Sequence, residues 1–173
     1  IVAVGALLTV ARLGEAFLLL RAADAGVAVA LTPSVLLAMN VAYALTAYPM
    51  GRLSDRIGRW RILGMGVMCL VVAHGALALA TDIWLVLAAS VLWGVHLGAT
   101  QGLVATLVAD AAGAELRGTA FGIFHLATGV SLLIGGVLAG AVWSSFGAPA
   151  AFLAGGAVAL LSLVAIFISP KSA

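Results

Sequence analysis

Charge is scarce in this sequence. Asp, Glu, Lys and Arg make up 8% of its 173 residues, against 65% hydrophobic ones. A soluble domain carries about 25% charged residues, so this chain cannot cover a water-facing surface, and lipid is its natural solvent. The net charge of +2 gives no basic face on which nucleic acid could bind. The single cysteine, Cys69, excludes a disulfide within the chain. No G-x-x-x-x-G-K-[ST] loop is present, which argues against ATP-driven pumping by this chain; no H-E-x-x-H or G-x-S-x-G motif points to an enzyme. No cofactor or metal is expected, because the three histidines fall on three different predicted helices. There is no charged-then-apolar leader, and Ile1 reads as a cut in a polypeptide that continues upstream. Arginine outweighs lysine and Ala, Gly and Val abound, a composition that hints at a GC-rich bacterial gene and hence a bacterial inner membrane.

What is present is apolar length. A helix needs roughly 20 apolar residues to cross the hydrocarbon. Six stretches qualify, at about 1–20, 31–50, 62–80, 83–108, 119–143 and 148–168. Turn chemistry or charge separates them: Arg21 to Asp24, Pro33, the charged run 51–61, Thr81–Asp82, the polar run 110–117, and 144–149. Strands are excluded, since open sheet edges cannot face lipid. The expected fold is all-α, a single polytopic domain over 1–173 with six transmembrane helices.

Basic residues in short loops set orientation. With both termini cytoplasmic, that side holds Arg52, Arg56, Arg59, Arg61, Arg117 and Lys171, 6 of the 8 basic residues. The other side holds Arg21, and Arg12 lies within a span. Trp84 and Trp143 stand near span ends, as interfacial anchors do.

The run Gly51-Arg-Leu-Ser-Asp55-Arg56-Ile-Gly58-Arg59-Trp-Arg61 joins the second and third spans. It resembles the signature of the major facilitator superfamily, G-x-x-x-D-[RK]-x-G-[RK]-[RK]. Gly51, Asp55, Arg56, Gly58 and Arg59 match, and Trp60 departs where a second basic residue is usual. Gly51 is expected to let the second helix end closely packed, and Gly58 to permit a turn with φ > 0. The resemblance implies a loop that latches one conformation, with Asp55 bonding partly to another half of the transporter and Arg117 meeting that half's own signature loop. Residues 11–21 look like a seventh helix and 115–122 like entry to an eleventh, so the chain resembles the C-terminal six-helix half, with the N-terminal half missing. Gly140 and Gly147 repeat the spacing of Gly51 and Gly58, a trace of the inverted three-helix repeats (about 1–80 and 82–170) that such a half implies. Ser144 and Ser145 replace Asp55 and Arg56 in the second copy.

Polar residues inside spans are costly, by roughly 2.5–3.5 kcal/mol for a charge on insertion scales. Arg12 and Glu15, three apart, are expected to share a helix face, as a neutral pair or as a cavity pair that binds substrate or relays a proton. Asn40 and Tyr43 are also three apart; Asn40 reads equally as interhelical glue or as a substrate contact. Trp93, His96 and Thr100 form one face with Gln101 beside it; this face would line the cavity, or His96 would bond between helices. Gly118, Gly122, His125, Gly129, Leu132, Gly136 and Gly140 form a stripe read mainly as a packing groove, with His125 as its titratable member. His74 reads as structural or as facing lipid on a peripheral helix. The antiporter pattern of the resembled family places a proline on the fifth helix; none occurs between Pro49 and Pro149, so drug–proton antiport gains no support.

The expected function is secondary transport of a small solute by alternating access, with the bilayer, the solute, the N-terminal half and candidate coupling protons as partners. The alternatives are a non-transporting six-helix scaffold or sensor, and a half-size transporter that dimerises.

Overall fold

The computed structural model describes residues 2–168. Ile1, read as a cut, and Lys171, counted with the cytoplasmic basic residues, lie outside them. The described residues form six α-helices and two 3-10 turns, with no strand. The helices are α1 (Val2–Ala11), α2 (Ala16–Asp24), α3 (Pro33–Ile57), α4 (Arg59–Leu79), α5 (Ile83–Ala111) and α6 (Arg117–Ile168). Five stretches are long and apolar enough to cross a bilayer: Val2–Asp24, Val29–Ile57, Arg59–Leu79, Ile83–Ala111 and Ala114–Ile168.

The helix ends follow local chemistry. Pro33 starts α3, where its missing N–H costs nothing. Asp82 caps α5, its Oδ1 accepting from the Leu85 N–H at 3.0 Å. Gly58 alone separates α3 from α4, at φ 99° and ψ 140°. The charged run 51–61 is therefore not a loop but two helix ends joined by one glycine: α3 runs on through Gly51 to Ile57, where its polar residues can stand beyond the hydrocarbon. Gly51 is no close-packing point, since a Cβ there would meet nothing within 4 Å.

The last helix has the same kind of joint. As a single rod, α6 with its 52 residues would span about 78 Å, more than twice a hydrocarbon core. Gly147 breaks it at φ 84° and ψ 173°. Trp143 and Phe152 stack edge to face with centroids 5.8 Å apart, closer than nine residues of straight helix allow. The chain reverses there: Phe124 and Gly135 lie beside Gly5 and Val10 of α1, whereas Gly155 and Gly64 mark the return along α4, meeting His74 and Phe167 respectively. Trp143 is accordingly packed on Phe17 and Phe152 rather than only anchoring at an interface.

The first span is not one helix. Leu13 and Gly14 both take left-handed backbone, φ 58° and 86°, and break it near its middle. Leu13 is buried, so packing holds a conformation that costs a non-glycine residue about 1–2 kcal/mol.

Helix α4 buries one face and exposes Met65, Met68 and Val72 on another. It packs against α5 on one side and α6 on the other. Ile62, Leu63, Val67, Leu70, Ala73 and Leu77 are fully buried along it. The α3–α5 contact is built on Gly94 and Gly98: a methyl at Gly94 would strike the Met39 carbonyl and one at Gly98 the Thr46 hydroxyl. This is the small-xxx-small seam of the fold. A Cβ at Gly118, Gly122, Gly129, Gly136 or Gly140 would instead meet nothing within 4 Å, so these glycines of the α6 stripe pack no helix among the described residues; one at Gly135 would sit 3.2 Å from the Val10 Cα.

Two polar ties fix the ends. Arg59 forms an ion pair with Asp110, which brings the α3–α4 joint to the end of α5. At the other end Arg21 donates from Nε to the Leu77 carbonyl at 2.8 Å and from Nη2 to the Ala80 carbonyl, a cation on the C-terminus of α4.

Candidate functional site

Three polar side chains, Arg12, His74 and His96, meet at the break between α1 and α2. Non-helical backbone at membrane depth is tolerated only where protein buries it or a cavity adjoins it, and both occur here. On the protein side, His74 is fully buried and donates from Nε2 to the Ala11 carbonyl at 2.9 Å, the end of α1. Its ring lies edge-on to Trp93 at 5.1 Å and against Phe152 at 5.9 Å. His74 is thus structural and does not face lipid; its Nδ1 has no hydrogen-bond partner among the described residues.

Arg12 follows Ala11. Its Nε donates to His96 Nε2 at 3.1 Å and its Nη2 to Thr100 Oγ1 at 3.0 Å. The directions are mutually consistent. His96 Nδ1 lies 2.8 Å from the Gly66 carbonyl, so it must carry a proton and donate. Nε2 is then free to accept from the guanidinium. The Thr100 hydroxyl donates to the His96 carbonyl at 2.8 Å and accepts from Arg12. Gly66 makes this closeness possible: a Cβ there would sit 2.7 Å from Thr100 Cγ2 and 2.8 Å from Ala99 Cβ.

Arg12 also lines a cavity of about 510 Å³ between α1, α5 and the first part of α6. Gly5, Leu8, Thr9, Gln101, Val104, Ala105, Phe121, Phe124, His125, Thr128, Gly129 and Leu132 complete it. That volume falls within the roughly 300–1,000 Å³ of small-molecule sites. Tyr43 on α3 donates to Gln101 Oε1 at 3.2 Å and so orients it. The His125 ring stacks on Phe121 at 6.1 Å and meets Phe124 edge-on at 5.6 Å.

Of the residues singled out in the sequence, the structure places Arg12, Gln101 and His125 together on this cavity, with Tyr43 tied to Gln101. Others go elsewhere. Trp93, His96 and Thr100 are buried between helices and do not line the cavity, because Gly66 draws that face of α5 onto α4. His96 is an interhelical hydrogen bonder that orients Arg12. Glu15 shares no face with Arg12: the left-handed pair Leu13–Gly14 turns the chain between them, and Glu15 is exposed and forms no ion pair among the described residues. Asn40 is exposed and donates to the Leu36 carbonyl of its own helix at 2.8 Å, bridging no other helix. Phe121, Phe124 and Thr128 were not anticipated. Their signal was the i, i+3, i+4, i+7 spacing of Phe121, Phe124, His125 and Thr128, which puts all four on one face of α6.

In the signature segment, Gly58 adopts its positive φ and Arg59 pairs with Asp110. Asp110 stands in the last turn of α5. Asp55 makes no hydrogen bond or ion pair among the described residues and lines, with Gly51, Arg59, Gly98 and Gly102, a cleft of about 240 Å³ between α3 and α5. Arg56 lines a shallower hollow with Arg52, whose guanidinium lies 5.8 Å over the Tyr48 ring. Arg117 opens α6 and is exposed.

The sequence model of the Major Facilitator Superfamily matches residues 2–173. An uncharacterized MFS-type transporter of Methanocaldococcus jannaschii is 28% identical over 173 residues, which cover 95% of this chain and 43% of that relative. The chain therefore spans less than half the length of the curated relative it matches.

Proposed function

The chain belongs to the Major Facilitator Superfamily, a family of transporters and not of enzymes, and from that premise we propose that it forms one six-crossing half of a secondary transporter working by alternating access. Residues 2–24 and the stretches 29–57 and 59–79 make one three-helix group in this reading. Residues 83–111 and the two parts of α6 around Gly147 make the other, with Gly58 and Gly147 as equivalent joints of an inverted repeat. The basic end carrying Arg52, Arg56, Arg59, Arg61 and Arg117 is cytoplasmic, in a bacterial inner membrane. The cavity beside Arg12 is one wall of the translocation path. The open glycine stripe of α6 faces the N-terminal half, and Asp55 and Arg117 meet that half across the latch. A proton gradient is the candidate driving force, with His125 as the titratable group on the wall.

One observation carries this reading: a cavity of small-molecule size lies against a helix break and is rimmed by Gly129, where a Cβ would meet no other element within 4 Å among the described residues. The test uses the full-length protein in proteoliposomes with an imposed pH gradient and a screen of solute fluxes. In a Cys69→Ser background, Thr128→Cys should be modified by a membrane-impermeant thiol reagent, and the modification should block flux. A Thr128→Cys protein that reacts from neither side of the bilayer would remove the cavity from the path.

A further inference from the structure

The charge on the cavity is of one sign, and we propose that it takes a small organic anion, the acidic oxygens held by Arg12 and Gln101 and the apolar body against Phe121 and Phe124. This deepens the reading of the cavity as the transport path and rests on it. A guanidinium has five N–H donors. Arg12 spends one on His96 Nε2 and one on Thr100 Oγ1, both neutral acceptors, which leaves three donors and the whole positive charge uncompensated by contact. Those two bonds also fix the planar fork beside the cavity that Arg12 lines. Gln101 has its carbonyl engaged by Tyr43, so its amide N–H groups are the part left for a ligand.

The acceptors on the cavity are hydroxyl and imidazole groups, not carboxylates. The Thr9 hydroxyl donates to the Gly5 carbonyl at 2.8 Å and Thr128 to the Phe124 carbonyl at 2.9 Å, so each keeps only lone pairs for the cavity. No Asp or Glu among the described residues lines it. Glu15, the carboxylate that acts on Arg12 electrostatically, is outside the lining and in no ion pair with it. A cation would be repelled by Arg12, and a neutral donor-rich solute would leave the half-buried guanidinium unmatched. A carboxylate or a phosphate ester matches it, and bidentate pairing with the fork adds orientation. The flanking Phe121 and Phe124 rings suit an apolar or aromatic body on that acid.

The experiment measures binding of four probes to the detergent-solubilised full-length protein: benzoate, phenyl phosphate, benzylamine and benzyl alcohol. The expected result is that benzoate or phenyl phosphate binds at least ~10-fold tighter than the amine and the alcohol; which of the two leads separates a carboxylate site from a phosphate site. Arg12→Gln should weaken the anion by roughly 10- to 100-fold, the usual weight of one or two charge-assisted bonds. Because Arg12 also ties α1 to α5, Gln101→Glu provides an independent arm. It is nearly isosteric and keeps an acceptor for Tyr43, and it should weaken benzoate while strengthening benzylamine. Equal binding of amine and anion, binding of none of the four, or an unchanged order in Gln101→Glu overturns the assignment. If Thr128→Cys still reacts and blocks flux in that event, the path survives and only its ligand class is wrong.

Discussion

Gly155→Ala should destabilise the protein more than any other single methyl group added along the return limb of α6. A Cβ at Gly155 would lie 2.7 Å from Leu13 Cδ1, 2.8 Å from Leu13 Cγ and 2.8 Å from His74 Cε1. Carbon atoms at rest stand roughly 3.5–4.0 Å apart, so about 1 Å must be found, and neither neighbour can give it. Leu13 is held at φ 58° in the break, and His74 is clamped between the Ala11 carbonyl at 2.9 Å, Trp93 and Phe152. Overpacking of a rigid site costs about 1–3 kcal/mol. Against it stands a helix-propensity gain of about 1 kcal/mol for Gly to Ala. Gly75 on α4, whose Cβ would meet nothing within 4 Å, is the control in which only that gain operates. Thermal unfolding of the purified full-length protein should therefore rank Gly155→Ala below wild type and Gly75→Ala at or above it. Leu13→Ala should offset part of the Gly155→Ala loss in the double variant, since the two share one space. A Gly155→Ala protein as stable as Gly75→Ala would refute the claim that the break is locked by packing.

Other outcomes follow from the same geometry. Arg21→Ala should cost about 1–3 kcal/mol, because two buried carbonyls at the end of α4 lose their donor; a melting temperature equal to wild type would contradict this. Arg59→Ala should cost at most about 1 kcal/mol, since the partners Arg59 and Asp110 are 39% and 55% exposed, yet transport by the full-length protein should change if the pair belongs to the latch. Gly98→Val should impair assembly of α3 on α5 where Gly102→Val is tolerated, as judged by monodispersity in detergent, because a side chain at 98 meets Thr46 and Ala47 and one at 102 meets nothing within 4 Å. In a Cys69→Ser background, Arg56→Cys and Arg117→Cys should be labelled from the same side of the membrane, and labelling from opposite sides would refute two crossings, α4 and α5, between them.

The apolar rods were legible because length and the near absence of charge over 83–108 or 148–168 leave no other solvent and no other secondary structure. The joint at Gly58 was legible for a local reason: only glycine takes φ near 99° without penalty. The break at Leu13 was not legible. Nothing in Arg-Leu-Gly-Glu announces a left-handed leucine, and what stabilises it comes from distant residues, His74, Gly155 and His96. The same tertiary ties undid the expected pairing of Arg12 with Glu15. Glycine spacing alone does not say which stripe packs: Gly94 and Gly98 and the stripe on α6 read alike in the sequence, and only the first meets a neighbour in this chain. Arg12, Gln101 and His125 were found singly, as polar residues in an apolar span. Their convergence needed the fold.

Gly58 and Gly147 leave no spare chain between the rods they connect. A loop of several residues would let one rod shift while its neighbour stayed still. A one-residue link transmits the shift, and the only freedom it retains is rotation about the two bonds of that glycine. Lengthening either link by one residue should therefore slacken the transmission between adjacent rods while leaving each rod intact.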